Sequence, residues 1–261
     1  MTIQTHRTAA YAKVHYNTTT TASGVEWANG KKTSHLEGKK IAVIVEHKFI
    51  PEEINAYQSC FALLGAEVDI ISRIYYSGWD PGNPSWKPVV FYSDVDPTDQ
   101  QPWQGPESVG LPDNNDVSKV NLDSYAAVIM AANYVSVRLR YPDDPSITDP
   151  RTLVQSPPVV RLFAEAMSRP TLVKGALCHG LWILTPHPEL LKGRKVTCHT
   201  VVMADILNCG AEIVYDDLGA GKKAVAKVAV DRDLVTGFSK HEVVPFVDAI
   251  ATQIHALSAQ Q

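Results

Sequence analysis

The sequence predicts an α/β fold built on a mostly parallel sheet with helices on both faces. The first sign is a near-continuous apolar run, Lys40-Ile41-Ala42-Val43-Ile44-Val45-Glu46, of the length and texture of a strand buried on both sides. The second is a helical pattern directly after it: Pro51 suits a first helical position, and Ile54, Tyr57, Phe61 and Leu64 recur at helical spacing until Gly65 ends the run. The third is repetition. Glu67-Val68-Asp69-Ile70-Ile71 closes a βαβ unit, and strand-like runs at 126–130, 171–177, 195–198 and 212–215 alternate with helices expected near 156–168, 179–191 and 201–209. A hairpin from 224–230 to 233–235 and a final helix near 240–257 complete the chain.

Two stretches fall outside this pattern. Residues 1–38 are Thr-rich and lack periodicity, so they read as an arm, disordered or ordered by packing on the domain or on a neighbour. Residues 39–261 then form one domain, with a long insertion at 73–122 that carries seven prolines and Trp79, Trp86 and Trp103. An ordered hairpin plus surface loop is the preferred reading of that insertion, ahead of a substrate lid or a subunit interface. Asn17-Thr18-Thr19 matches a glycosylation acceptor by chance, because the first residues lack the apolar core of a secretion signal.

With 261 residues, 45% of them apolar, the chain is long enough for one full core. A net charge of −4 with scattered Lys and Arg offers no basic face to phosphates, which argues against nucleic acid, and no apolar run is long enough to cross a bilayer. The expectation is a cytoplasmic protein that meets small molecules. Four cysteines (Cys60, Cys178, Cys198 and Cys209) make no disulfide scaffold in a chain of this size, and none forms a Cys-x-x-Cys pair.

Cys178 occupies the place where an apolar strand stops and a helix is expected to start, between Ala176 and Gly180. A sharp strand-to-helix turn lifts one side chain clear of the sheet, and small neighbours let the backbone pass. Amides at the start of a following helix favour thiolate over thiol and can hold an oxyanion. His179 is a possible base. The plain alternative is a buried apolar cysteine, the commoner use of a free thiol. Glu53 lies in the first turn of the first helix, on the flank shared with Ile54 and Tyr57, so it faces the sheet. Both helix starts lie beyond the carboxyl edge of a parallel sheet, where such folds build their sites, so Glu53 and Cys178 are expected to meet. A carboxyl buried beside a thiol keeps its proton and can donate it.

A glutamate early in the first helix and Ala176-Leu177-Cys178-His179-Gly180 after a later strand together resemble the ThiJ/PfpI superfamily. So do, in the same order, Leu191-Lys192-Gly193-Arg194-Lys195-Val196-Thr197, Ile206-Leu207-Asn208-Cys209-Gly210-Ala211-Glu212 and Val230-Asp231-Arg232-Asp233-Leu234-Val235-Thr236-Gly237. The resemblance spans roughly residues 39–257. It implies a flavodoxin-like three-layer sandwich, a nucleophilic Cys178, a proton-sharing Glu53 and a homo-oligomer. It also implies a histidine near the thiol at His199, and no cofactor. Family activities include glyoxalase and deglycase reactions, peptidases and isonitrile hydratases; a stress-protective redox sensor is a further reading. Where relatives carry Pro-Gly-Gly, this chain has Ala131-Ala132-Asn133-Tyr134, which makes Ala132, Asn133, Tyr134 and Gly180 the expected oxyanion and substrate pocket. Val137 falls where peptidase-like relatives receive an orienting acid, leaving the histidine without one and weakening the peptidase reading.

Other groupings are weaker. Ser239 and Glu242 form a capping box in preference to a catalytic His241-Glu242 pair, and His187 with Glu189 lies too close to Cys178 along the chain to return to it. His47, His179 and His199 lack metal-ligand spacing, so no metal is expected. Cys198 is a resolving thiol or a plain strand cysteine, while Cys60 and Cys209 belong to apolar helix patterns.

Overall fold

The computed structural model describes residues 19–21, 23–27, 30–74, 89–94, 108–144 and 146–260. The three tryptophans of the insertion and Asn17 lie outside them. Six strands form the central sheet in the order β14-β15-β9-β8-β4-β5. These are β4 (Lys40–Ile44), β5 (Glu67–Ile71), β8 (Ala127–Met130), β9 (Val173–Leu177), β14 (Val228–Asp231) and β15 (Leu234–Gly237). All neighbours run parallel except the edge pair β14 and β15. Every residue of β8 and β9 is buried, as the unbroken apolar runs require of strands covered on both faces.

Helix α1 (Pro51–Leu63) packs with α7 (Val243–Ser258) on one face. Helix α4 (Pro158–Met167) and the turn after β9 lie on the other. The described part of the arm is a small antiparallel sheet of β1 (Thr19–Thr21), β2 (Gly24–Glu26) and β3 (Lys32–Ser34), and it packs on α7. Its hold is partly polar: Trp27 Nε1 donates to Thr33 Oγ1 at 2.7 Å, and Thr33 Oγ1 bonds Asp248 of α7. In the insertion, β6 (Val89–Tyr92) and β7 (Ser108–Leu111) pair antiparallel.

Three expected elements are corrected. The strand expected at 195–198 is only β10 (Lys195–Val196); it pairs with β11 (Glu212–Ile213) in a separate sheet, because the chain turns at Cys198 to start α6 (Thr200–Asn208). The helix expected over 179–191 is a 3-10 turn, Gly180–Leu184, followed after a break by the single turn α5 (Pro188–Leu191). Pro186 and Pro188 would stand inside a continuous helix, where the ring removes a donor and clashes with the preceding turn. The expected 224–230 strand is likewise two pieces: β13 (Lys223–Val225) pairs with β12 (Tyr215–Asp217), and β14 pairs with β15.

Lys174 sits in β9 with its side chain buried, which a charge tolerates only with partners. Its ammonium bonds Asp233 and the Arg169 carbonyl, while Arg194 Nη2 reaches the other oxygen of Asp233 at 2.7 Å. Burial works against the Asp233 charge, but these two cations outweigh it and hold the carboxyl below its usual range. The Arg194 and Asp233 segments that resemble the superfamily are therefore structural, tying β9, β10 and the β14–β15 hairpin together at the edge away from Cys178. Asp233→Ala leaves the buried Lys174 ammonium with the Arg169 carbonyl but no carboxylate, while Arg194 keeps Asp231, and is expected to cost about 3–5 kcal/mol in urea unfolding, far more than exposed Asp216→Ala.

Candidate active site

Cys178 directly follows β9 with φ +58, a left-handed conformation that non-glycine residues adopt only when the surroundings hold them there. Its N–H donates to Gly237 O at 2.8 Å, and its carbonyl accepts from His199 N–H at 3.2 Å, so β15 and α6 pin the turn from two sides. Gly180 permits the close approach: a Cβ there would stand 3.0 Å from Met130 O and 3.2 Å from Ala176 Cβ. Gly180 thus packs against β8. Gly180→Ala is expected to lower stability by roughly 1–3 kcal/mol by thermal or urea unfolding, since the nearest obstacle is backbone.

Glu53 is fully buried in the first turn of α1. Ala132 N–H donates to both carboxyl oxygens at 3.0 Å, and Tyr57 O–H donates to Oε1 at 2.7 Å. Burial raises the carboxyl to about 8, overriding the Tyr57 and Ala132 hydrogen bonds, so it is largely protonated at pH 7. Since Oε1 already receives two donors, the proton belongs on Oε2. The Ala132 amide is taken up by Glu53. Tyr57, which from sequence reads only as an apolar-face residue, is part of the site; its place one helical turn beyond Glu53 was the available signal.

Sγ of Cys178 lies under opposing influences. Burial pushes the thiol up, the backbone N–H groups of Asn133 and His179 pull it down, and negative charge on Glu53 pushes it up again; the balance is about 11. This corrects the expectation of a thiolate favoured by a helix start. The following element is a five-residue 3-10 turn, too short for a substantial dipole, and desolvation dominates. The resting pair is a neutral thiol beside a neutral carboxyl.

His179 Nδ1 lies 3.1 Å from Asn133 O, a carbonyl that can only accept, so Nδ1 carries the hydrogen and Nε2 presents a lone pair. Burial, then the neighbouring His199, lowers its pKa and keeps it neutral. The orienting group missing at Val137 is thus supplied by a backbone carbonyl. Asn133 also has positive φ, at +62. Its Nδ2 donates to Lys48 O at 2.8 Å and to Asp94 at 3.2 Å, so its side chain orders the loop instead of serving as a pocket donor. Tyr134, half-exposed, stands edge-on to His179 with ring centroids 5.6 Å apart and forms a rim. His199 caps α6 and brings Nδ1 within 3.4 Å of His179 Nε2.

The remaining candidates separate from this cluster. Ser239 and Glu242 bond each other at 2.5 Å ahead of α7, and His187 bonds exposed Glu189 at 3.0 Å. His47 accepts from Tyr92 N–H at 3.1 Å and stacks on the Tyr92 ring. It borders a cavity of about 590 Å3 with Glu46, Phe91, Arg138 and Tyr141, which Cys178 does not line. All four cysteines are free thiols; Cys198 is buried with its thiol pushed to about 12.

The profile of the DJ-1/PfpI family matches residues 147–253, which include Cys178, His179 and His199. The matched segment of the chain is similar to the DJ-1/PfpI family. Solved structures carry the same fold at low identity. A ThiJ/PfpI domain protein from Brachyspira murdochii aligns with TM-score 0.58 and 14% identity over 84% of this chain and 98% of its own. The oxidized DJ-1 of Toxoplasma gondii aligns with TM-score 0.52 and 16% identity, over 85% and 97%. A two-domain protein from Anabaena variabilis, with DJ-1/ThiJ/PfpI-like and ferritin-like domains, aligns with TM-score 0.56 and 18% identity; this chain covers 83% of itself and 48% of that protein, about half its length. No curated protein matches the sequence. Among the described residues no helix is long and apolar enough to cross a membrane.

Proposed function

We propose that the chain is a cofactor-independent cysteine enzyme acting on small reactive carbonyls, converting an α-oxoaldehyde to the α-hydroxy acid. The observation that carries this reading is a thiol, nearly buried at the end of its strand, whose electrostatic neighbour is a carboxyl protonated at neutral pH, the two proton positions a carbonyl rearrangement needs. His179 Nε2 takes the Cys178 proton as Sγ adds to the aldehyde carbon, and Glu53 protonates the aldehyde oxygen, giving a hemithioacetal. The Glu53 carboxylate then removes the hydrogen from that carbon while His179 protonates the ketone oxygen, giving an enediol. Glu53 returns a proton to the second carbon, His179 takes the hydroxyl proton from the first, and a thioester results. Water hydrolyses it, releasing the hydroxy acid and the thiol.

Amide or peptide hydrolysis by the same thiol finds less support. The Ala132 amide that would line an oxyanion pocket is engaged by Glu53, and the Asn133 and His179 amides face the sulfur. A stress-protective or redox-sensing role and assembly into a homo-oligomer follow from the resemblance alone.

The test is to supply methylglyoxal to the chelator-treated protein, without added thiol, and follow products by proton NMR. One lactate per aldehyde, abolished by prior alkylation of Cys178, is the expected result. No lactate, or lactate undiminished after alkylation, sinks the proposal.

A further inference from the structure

His179 and His199 meet in a way that ordinary hydrogen bonding does not satisfy. The Asn133 carbonyl fixes the hydrogen of His179 on Nδ1, so Nε2 carries a lone pair. The Val201 N–H donates to His199 Nδ1 at 3.3 Å as the cap of α6, so that nitrogen carries a lone pair as well. With the hydrogens so placed, two lone-pair nitrogens face each other at 3.4 Å with no hydrogen between them. A cation between them resolves the conflict.

A third donor stands close by, for one ligand atom each of Cys178, His179 and His199 lies within 4.8 Å of the others. Two imidazole nitrogens at about 2.0–2.1 Å from a tetrahedral zinc ion stand about 3.4 Å apart, which is the separation observed here. Both rings are braced. Trp182 and Tyr134 pack on His179, Phe238 packs on His199, and the Asn133 carbonyl holds the far nitrogen of His179 as outer-shell partners of metal-bound histidines do.

We propose that Cys178 Sγ, His179 Nε2 and His199 Nδ1 form a three-ligand site for a zinc-type divalent cation, with the fourth position open to water and the long Val201 N–H contact to Nδ1 given up on binding. Binding releases the thiol proton to solvent and forms a metal–thiolate bond, so metal occupancy removes the nucleophile from carbonyl chemistry. The inhibitory consequence rests on the proposed function; the binding itself does not. From sequence the site was invisible because two of the ligands are adjacent residues and the third arrives from another element.

The experiment titrates the chelator-treated full chain with cobalt(II) and then zinc(II). Expected are one equivalent bound, a near-ultraviolet thiolate-to-cobalt band with the visible bands of a four-coordinate ion, and displacement by zinc. Stoichiometric zinc is expected to slow iodoacetamide alkylation of Cys178 at least roughly tenfold, reversibly with chelator. Cys178→Ala removes the near-ultraviolet band, and His199→Asn, which keeps an oxygen for the Val201 cap, weakens binding at least about tenfold. A six-coordinate cobalt spectrum, binding indifferent to both substitutions, or unprotected alkylation overturns the site. Cobalt binding without lactate formation would sink only the carbonyl reading, and turnover without cobalt binding would sink only the metal site.

Discussion

Replacing Cys178 with alanine is expected to lower lactate formation from methylglyoxal by about 10⁴-fold or more, to the level of the uncatalysed reaction. No other described group takes over. Cys198 is fully buried with its thiol held near 12, and the Glu53 carboxyl is enclosed by Tyr57 and Ala132. The fold should survive, because the turn is held by backbone bonds to Gly237 and His199 that alanine keeps. Cys198→Ala supplies the control. Circular dichroism and unfolding curves close to wild type, together with absent turnover, separate a chemical loss from a structural one.

Glu53→Gln is the second large effect. The amide occupies the same space and can still accept from Ala132 and Tyr57, but it cannot exchange a proton, so turnover should fall roughly 10²–10⁴-fold while iodoacetamide still reaches Cys178. Stability should move the other way. The folded-state carboxyl is raised from 4.5 to about 8, so the folded protein favours the protonated form; that stability is complete below the ordinary glutamate pKa and is lost as pH rises through about 8. Removing the titration should therefore make Glu53→Gln more stable than wild type at pH 8–9, by on the order of 4 kcal/mol, and bring it within about 1 kcal/mol of wild type at pH 5. Urea unfolding at the two pH values reads this directly. A variant less stable at both would mean that the carboxyl is ionised in the folded state.

The central strands, the first helix and the turn at Cys178 were legible because each follows from local pattern: apolar runs of five, a 3.6-residue period, and small residues around one cysteine. Glu53 was legible because the helix period assigns its face. The break after Gly180 was misread although Pro186 and Pro188 stand in the segment, since the apolar residues Leu181, Ile183 and Leu184 suggest a longer helix. What holds the site together was hidden for another reason. The orienting carbonyl of Asn133 depends on a left-handed residue fixed by Lys48 and Asp94, from parts of the chain distant in sequence. The Ala132 amide is occupied by Glu53, and the thiol's high pKa is a sum of burial and four neighbours that no spacing rule records. Arg194, Asp231 and Asp233 show the converse: their segments support the superfamily resemblance, yet they serve the buried Lys174 and not the chemistry.

The most direct test of a proton-bearing Glu53 is its infrared carbonyl band. Glu46, also buried and raised to about 7, will contribute a similar band, so the wild-type spectrum must be read against Glu53→Gln. The difference should show a protonated carboxyl at pH 7 that disappears as pH rises through about 8. A Glu53 band already absent at pH 6 would mean an ionised carboxylate, and the proton relay between Glu53 and Cys178 would be wrong.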